Sequence, residues 1–314
     1  THFLCARARI RAKRESAVQE IVFPSEYFSP RATLTCGQVF RFRELGEDFL
    51  LFAGERACRI GEREGLVHIL CEDAAFFEEY FDLKRDYAAI CAAAQAGSDL
   101  FVCRAAQCGK GIRILRQDPA ETIVSFLLSQ NNNIPRIRSL LFRLCEALGE
   151  RRSFCGEEYF TFPATEKLAS AGEAFYRELG FGYRAAYLAQ TCARLCERMP
   201  DPSLSTKELR GQLLSLPGIG PKVADCILLF GYARTEAFPV DTWVERVYRE
   251  RMGGTLRDRE KIAAYFRGRF GAEGGIVQQY LFYYEKEERE WHRSRLTKRC
   301  AKGAGSAPTH APKR

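Results

Sequence analysis

Two kinds of hydrophobic periodicity divide the chain. Over residues 33–71, apolar and polar positions alternate in short segments separated by glycines, which predicts the strands of an antiparallel sheet. Aromatic and alanine residues then recur over 73–95 in a pattern that predicts a helix, and from Asp118 onward the apolar positions have the period of an α-helix. We therefore predict an α+β protein in which a β-rich N-terminal lobe, residues 1–115, precedes a mostly helical body, residues 116–299.

Capping residues mark where several of these helices begin. Asp118, Pro119 and Glu121 combine an N-cap, a first-turn proline and a capping-box acid. Ser205 and Glu208 have the spacing of a second capping box. Further helices are predicted at 135–149, at 187–199, from 221 to 231 and around 277–284. The final residues, 300–314, are small and polar, so we predict that they are disordered.

Positive charge is concentrated at the two ends of the chain. The net charge is +8, but residues 1–14 carry five basic residues without an acid, and residues 291–314 carry seven. Without these twelve, 36 basic and 40 acidic residues remain, a net charge of −4. Because basic ends are more often solvated tails than binding sites, a nucleic-acid-binding function has to be argued from local sites.

Composition argues against a membrane protein, a disulfide scaffold and a metal site. No apolar run approaches the roughly 20 residues of a membrane-spanning helix, and the N-terminus lacks the apolar segment of a secretory signal. Thirteen cysteines occur without a CxxC pair, and the four histidines show no zinc-binding spacing. We predict a soluble, intracellular chain with reduced thiols and without a metal, an iron–sulfur cluster or another cofactor.

The candidate chemistry begins in a turn between two helices, with the sequence LPGIGPKVADC at residues 216–226. Gly218 and Gly220 permit a tight turn with positive φ, and the free N–H groups at the start of the second helix suit a phosphate. Such a helix–hairpin–helix, at about 207–231, can hold a DNA backbone without reading bases. The same sequence is also compatible with a helical hairpin that only packs on its neighbours.

Lys222 and Asp241 add a nucleophile and a carboxylate to this hairpin. Lys222 lies in the first turn of a helix, where the dipole disfavours a cation and burial lowers the pKa of the amine, so a neutral, nucleophilic lysine is expected. Asp241, in the sequence FPVDTW, can stabilise the oxocarbenium-like state of a breaking glycosidic bond. The alternatives are an exposed lysine beside a phosphate and an aspartate that only caps a helix.

The combination of hairpin, lysine and aspartate resembles the helix–hairpin–helix (HhH-GPD) glycosylase superfamily. More specifically, the chain resembles the 8-oxoguanine DNA glycosylase/AP lyase family. The other matching segments are CGQVFRFRE (36–44), YFDLKRDY (80–87), SQNNNIPRI (129–137) and LGFGYRAAYL (179–188). The resemblance implies a twisted antiparallel sheet, two helical lobes in the body, and a monomer whose partner is double-stranded DNA containing oxidised guanine. The superfamily branch with an iron–sulfur cluster is disfavoured because its cysteine loop is missing here.

The resemblance also implies a reaction. Lys222 would attack C1′ of the deoxyribose, release 8-oxoguanine, preferably opposite cytosine, form a Schiff base and nick the strand by β-elimination, with Asp241 as the catalytic carboxylate. The alternatives are a related glycosylase for another base lesion and a non-catalytic helix–hairpin–helix DNA-binding module, in which Lys222 has no special role.

Four further residues are assigned to the base by resemblance. 8-Oxoguanine carries a hydrogen on N7 where guanine has a lone pair, and the backbone carbonyl of Gly37 would accept from it. Gln278 and Phe282 share a stripe of the last helix, rotated by roughly 100° from its core face, which predicts a position at a cleft edge. Gln278 would bind the Watson–Crick edge, and Phe282 and Cys226 would cover the two faces. The alternatives are an ordinary turn glycine and a partly buried polar–aromatic pair.

The resemblance also assigns four residues to contacts with the opposite base and the duplex around it. Asn131, Arg136 and Arg184 would read the orphaned cytosine, and Tyr183 would wedge into the duplex; from composition alone, Asn131–Asn133 is simply a polar loop. One position departs from the family: Trp243 stands where animal members commonly carry a histidine associated with a DNA phosphate. This departure points to a bacterial or otherwise divergent member, acting in the cytoplasm or nucleoid if bacterial and in the nucleus if eukaryotic.

Overall fold

The N-terminal lobe is built on an antiparallel sheet. The structure, a computed structural model, describes residues 9–12 and 18–303, with side chains over 18–289. Six strands lie in the order β1–β2–β6–β5–β4–β3. Ile21, Ile69 and Ile60 are paired across three neighbouring strands and fully buried, so one face of the sheet forms the core of this lobe. The strands are β1 (Arg9–Ala12), β2 (Gln19–Pro24), β3 (Phe42–Leu45), β4 (Asp48–Ala53), β5 (Arg56–Arg63) and β6 (Leu66–Cys71).

The prediction of strands over 33–71 is wrong for its first part. Pro30–Thr35 is a helix, α1, which begins with a proline and is capped by Ser29. The following residues alternate because they pass between two cores: Val39 packs in the core of the sheet lobe and Phe40 in the core of the helical body. Alternation therefore marked an extended segment with two buried sides rather than a further strand.

The helix predicted over 73–95 is interrupted. Its two parts are α2 (Ala74–Tyr80) and α3 (Tyr87–Gln95), and Asp82 between them has a positive φ of 50°. Asp86 then caps α3 by accepting the N–H of Ala89 at 2.9 Å. A fourth helix, α4 (Leu100–Gly109), completes this part of the chain.

The body is helical, as predicted. Its helices are α5 (Pro119–Ser129), α6 (Ile134–Leu148), α7 (Thr165–Glu178), α8 (Arg184–Glu197), α9 (Thr206–Leu214), α10 (Pro221–Gly231), α11 (Thr242–Arg246), α12 (Arg259–Phe270) and α13 (Gly274–Gly303). A small hairpin, β7 (Arg151–Phe154) and β8 (Glu157–Phe160), follows α6. The capping box at Ser205 and Glu208 is present. The segment 300–314, predicted to be disordered, begins within α13 and otherwise lies outside the described residues.

Glu121 does not act as the predicted capping-box acid. Asp118 caps α5, but the buried carboxylate of Glu121 instead accepts the guanidinium of Arg41 at 3.0 Å and the N–H of Gly54 at 2.8 Å. Arg41 also donates to the carbonyl of Phe160 at 2.7 Å. This buried ion pair joins the sheet lobe to the central helix α5.

A second buried connection fixes the loop after α1. The amide of Gln38 donates to the carbonyl of Arg113 at 2.8 Å and accepts the N–H of Leu115 at 2.9 Å. The side chain of Gln117 donates in turn to the carbonyl of Gln38 at 2.8 Å. Gln38 is fully buried, so the backbone of the adjacent Gly37 is held against the segment that leads into the body.

Candidate active site

The predicted hairpin is formed by α9, the turn 215–220 and α10. Gly218 has a φ of +78°, and a Cβ there would lie 2.6 Å from the ring of Tyr187, so two constraints require glycine. Gly220 does not have the positive φ that was expected. Its φ of −92° is extended, and it precedes a helix that begins with Pro221 and that no described side chain caps. The first N–H groups of α10 therefore remain free for a ligand.

Lys222 and Asp241 line the same recess, which we call the central pocket. It has an open volume of about 340 Å³ that includes solvent at its mouth. Lys222 lies in the first turn of α10, and its Nζ is 5.4 Å from the centroid of the Phe126 ring. Asp241 lies two residues after Pro239, at the N-cap of α11. The residues that line the central pocket are Cys36, Gly37, Phe126, Lys222, Cys226, Phe230, Pro239, Asp241, Gln278, Gln279 and Phe282.

Asp241 has both a structural and an electrostatic role in this arrangement. Its Oδ1 accepts the N–H groups of Trp243 and Val244, each at 2.9 Å, so the aspartate is a helix cap. These two bonds use one carboxylate oxygen, and the charge also acts on Lys222, whose pKa it raises. The capping bonds therefore hold the carboxylate of Asp241 close to Lys222. The structural and the electrostatic role of Asp241 are compatible.

The expected low pKa of Lys222 is wrong. Burial lowers its pKa, but Cys226, one turn along α10, and Asp241 together raise it by more, so the pKa lies above its ordinary value. Burial raises the pKa of the Cys226 thiol to about 11, although Lys222 opposes this shift. Because the pKa of Lys222 is raised rather than lowered, the amine must lose a proton before it can act as a nucleophile.

The four residues assigned to the base all line the central pocket. Gly37 has a φ of +91°, and a Cβ on it would lie 3.9 Å from Cε1 of Phe282, so the two residues face each other. Cys226 is buried on α10. Gln278 is only 3% exposed, which contradicts the predicted cleft edge. The reason is that the central pocket is a recess in the core and Gln278 lies inside it, whereas Phe282 is half-buried.

The residues assigned to the opposite strand form one surface patch beside the hairpin. Arg184 is buried under Tyr183, with its guanidinium 4.4 Å from the tyrosine ring centroid, and it donates to the carbonyls of Gln130 and Asn131 at 2.9 and 2.8 Å. Tyr183 is 52% exposed. Gln130 also donates to the carbonyl of Gly218 at 2.9 Å. The patch and the hairpin turn are thus hydrogen-bonded to each other.

Asn131 and Arg136 are, together with Tyr183, the exposed members of this patch. Asn131 has a positive φ of 46°, a conformation that asparagine tolerates better than most residues. The guanidinium of Arg136 reaches the carbonyl of Gly180 at 3.4 Å, a long contact that leaves most of its donors available. In contrast, Arg184 already uses donors to hold the 130–131 turn, so its direct contribution here is to shape the patch.

Several pocket residues were not identified from the sequence. Cys36 and Gln279 are direct neighbours of Gly37 and Gln278, and Phe126 and Phe230 stack on each other at 5.4 Å on the two central helices. In the sequence, only their position next to an assigned residue could have indicated that Cys36 and Gln279 line the pocket. The two phenylalanines have the spacing of ordinary core residues, so their sequence pattern carried no such signal.

Trp243, the residue that departs from the family pattern, has two arginine side chains over its ring. The guanidinium groups of Arg246 and Arg289 lie 5.8 and 5.4 Å from the ring centroid of Trp243. The position therefore carries cationic groups next to Trp243 rather than a titratable imidazole.

The part of the chain with described side chains contains no group of three or more His, Cys, Asp or Glu that could hold a metal ion. Every cysteine within that part is a free thiol. Among the described helices, none combines the length and the apolar character needed to cross a bilayer.

Comparison with protein families identifies both parts of the chain. The model for the 8-oxoguanine DNA glycosylase N-terminal domain matches residues 20–123, and that for the HhH-GPD superfamily base excision DNA repair protein matches residues 124–269. The boundary between these matches lies inside α5, a few residues after the predicted one at 115.

Individual relatives agree with these matches. A probable N-glycosylase/DNA lyase of Methanothermobacter thermautotrophicus is 32% identical over 62% of this chain and 68% of its own length. The N-glycosylase/DNA lyase of Saccharomyces cerevisiae is 40% identical over 44% of this chain, which covers only 41% of the yeast protein. The Clostridium acetobutylicum 8-oxoguanine glycosylase/lyase, solved with double-stranded DNA containing cytosine opposite 8-oxoguanine, is 32% identical with a TM-score of 0.83, covering 90% of this chain and 98% of that one. The chain therefore belongs to the 8-oxoguanine DNA glycosylase family of the HhH-GPD superfamily.

Proposed function

We propose that this chain is a bifunctional DNA glycosylase/AP lyase that removes 8-oxoguanine from duplex DNA, preferably opposite cytosine. The observation that carries the proposal is that an amine and a carboxylate from two different helices, Lys222 and Asp241, line one pocket with the residues assigned to the base. The family membership and the C. acetobutylicum enzyme support the substrate.

Duplex DNA would bind along the hairpin and the adjacent patch. The free N–H groups at the start of α10, after Gly220, hold a phosphate. Tyr183 enters the base stack, and Asn131, Arg136 and Arg184 read or position the orphaned cytosine. The damaged nucleotide rotates into the central pocket because its bonds cannot be reached inside the duplex. The proposal includes the lobe boundaries at 1–115 and 116–299. It also includes action as a monomer in the compartment that holds the DNA.

Within the central pocket, Gly37 and Gln278 would bind the edges of the base, and Phe282 and Cys226 its faces. Undamaged guanine would leave the carbonyl of Gly37 opposite a lone pair at N7. Leaving a buried acceptor unpaired costs about 1–3 kcal/mol. The preference for the oxidised base therefore comes from a contact that only the N7–H form can make.

The bond changes follow from the charges in the pocket. The C1′–N9 bond breaks, the base leaves with the electron pair, and the carboxylate of Asp241 stabilises the positive charge on the sugar. Lys222 forms a bond to C1′ and loses a proton, while the departing base gains one, so the proton balance closes between them. Opening of the sugar ring gives the Schiff base, and loss of a C2′ proton with departure of the 3′ phosphate cuts the strand.

Borohydride trapping tests the proposal, because reduction converts a Schiff base into a permanent protein–DNA bond. We expect trapping by the unmodified chain on 8-oxoguanine opposite cytosine, and none by Lys222→Gln. The matched control is Lys261→Gln, because Lys261 also lies in the first turn of a helix, α12, but outside the central pocket. Absence of trapping by the unmodified chain would reject the lyase, and equal trapping by Lys222→Gln would reject the nucleophile.

A further inference from the structure

Gln279 is a pocket residue to which no role has been given so far. It follows Gln278 on α13, is 5% exposed and lines the central pocket. Its Nε2 donates to Oε1 of Gln278 at 2.8 Å. The two amides therefore converge although their positions on the helix differ by one residue, and each restricts the orientation of the other.

The second polar atom of Gln279 has no partner. Its Oε1 is buried, and it has no hydrogen bond to any described residue. Buried polar atoms in folded proteins are nearly always paired, so an unpaired acceptor in a ligand pocket indicates a donor on the ligand. The neighbouring acceptor, Oε1 of Gln278, already receives one bond from Gln279, so the two glutamines are not equivalent.

The groups left over by this pairing match the edge of a guanine-type base. Nε2 of Gln278 remains as a donor, and Oε1 of Gln279 remains as an acceptor. The Watson–Crick edge of guanine and 8-oxoguanine carries one acceptor, O6, followed by two donors, N1–H and the 2-amino group. A single glutamine can rotate its amide by 180° and reverse its preference, whereas the amides of Gln278 and Gln279 are hydrogen-bonded, so one can turn only if the other turns with it.

We propose that Gln279 is a second base-binding residue, whose Oε1 accepts from N1–H or the 2-amino group of the extruded base and whose Nε2 orients Gln278. This inference rests on the proposed function, and it extends recognition from one glutamine to a hydrogen-bonded pair. Removal of Gln279 should impair base release without affecting the steps that need only the sugar.

The variant Gln279→Met keeps the size of the side chain and removes both hydrogen bonds. Under single-turnover conditions, we expect release of 8-oxoguanine opposite cytosine to slow by about 5- to 150-fold, the range for a lost buried hydrogen bond. Cleavage of a duplex that already contains an abasic site should stay unchanged, because no base occupies the central pocket. Gln107→Met, on the exposed surface of α4, is the control for the substitution itself.

A base analogue identifies the donor. 8-Oxohypoxanthine lacks the 2-amino group but keeps O6, N1–H and N7–H. If the penalty of Gln279→Met vanishes with this base, Oε1 accepts from the amino group; if the penalty persists, it accepts from N1–H. Either result supports the proposal.

Two results would overturn the inference about Gln279 alone. Equal release of 8-oxoguanine by Gln279→Met and the unmodified chain would remove Gln279 from base recognition. Gln279→Met could instead lose abasic-strand cleavage as strongly as base release, or unfold at a lower temperature. If the milder variant Gln279→Asn showed the same loss, Gln279 would be a structural residue. Failure of the unmodified chain to release 8-oxoguanine would instead reject the proposed function, and the Gln279 inference with it.

Discussion

Replacing Asp241 by asparagine separates its charge from its capping role. Oδ1 of Asp241 accepts two N–H groups of α11, and an asparagine side chain caps a helix about as well as aspartate. We therefore expect the free energy of unfolding to change by less than about 1 kcal/mol. Loss of the charge next to the sugar should slow base release by roughly 10²- to 10³-fold, as for the loss of one preorganised electrostatic group.

The same variant has a predictable effect on pH dependence. Burial lowers the pKa of Lys222, and Cys226 and Asp241 raise it above its ordinary value. Removal of the Asp241 charge therefore lowers this pKa, so the neutral amine becomes available at lower pH. Cleavage of abasic DNA should rise with pH in both proteins, and the rise should occur at lower pH in Asp241→Asn.

Single-turnover base release and abasic-strand cleavage, each measured across pH, provide the assay. Asp258→Asn is the matched control, because Asp258 also caps a helix with one oxygen, at 2.8 and 3.1 Å from the N–H groups of Glu260 and Lys261, and does not line the central pocket. An unchanged base-release rate in Asp241→Asn, or an equal loss in Asp258→Asn, would refute the electrostatic role.

Three other variants test separate parts of the structure. Gly218→Ala places a side chain at a φ of +78° and against the ring of Tyr187, so we expect about 1–3 kcal/mol of destabilisation in urea unfolding and weaker binding to undamaged duplex. Glu121→Gln leaves the buried Arg41 without a countercharge and should cost about 3–5 kcal/mol of unfolding free energy; an unchanged midpoint would contradict this. Arg136→Ala should narrow the ratio of rates opposite cytosine and adenine by roughly tenfold, since each good base contact contributes about 1–3 kcal/mol, and an unchanged ratio would exclude Arg136 from reading the opposite base.

Local sequence rules predicted the parts of the fold that depend on local interactions. The starts of α5 and α9 follow from Asp118 and Ser205, whose side chains cap their own helices. The role of Glu121 was not predictable, because its partner, Arg41, is 80 residues away in the chain. The segment after α1 was mistaken for a strand because two cores on opposite sides produce the same alternation as a sheet.

The candidate site shows the same limit. The proposed chemistry was predicted from the residue types of Lys222 and Asp241, and both residues line the central pocket. The direction of the pKa shift of Lys222 was predicted wrongly, because it depends on how close Cys226 and Asp241 come in space. Gln279 could not be identified because its significance lies in an unpaired atom rather than in its spacing.

The rigid attachment of Gly37 has a consequence for how the enzyme could be divided. The loop that carries it is anchored through Gln38 to residues 113–117, and neither Gly37 nor Gln278 lies within the 124–269 match that contains Lys222 and Asp241. Under the proposed assignment, the groups for bond cleavage and those for damage discrimination therefore lie in different stretches of polypeptide. A fragment limited to the catalytic stretch would keep the groups that open an abasic sugar but would lack the contacts that tell an oxidised base from a normal one.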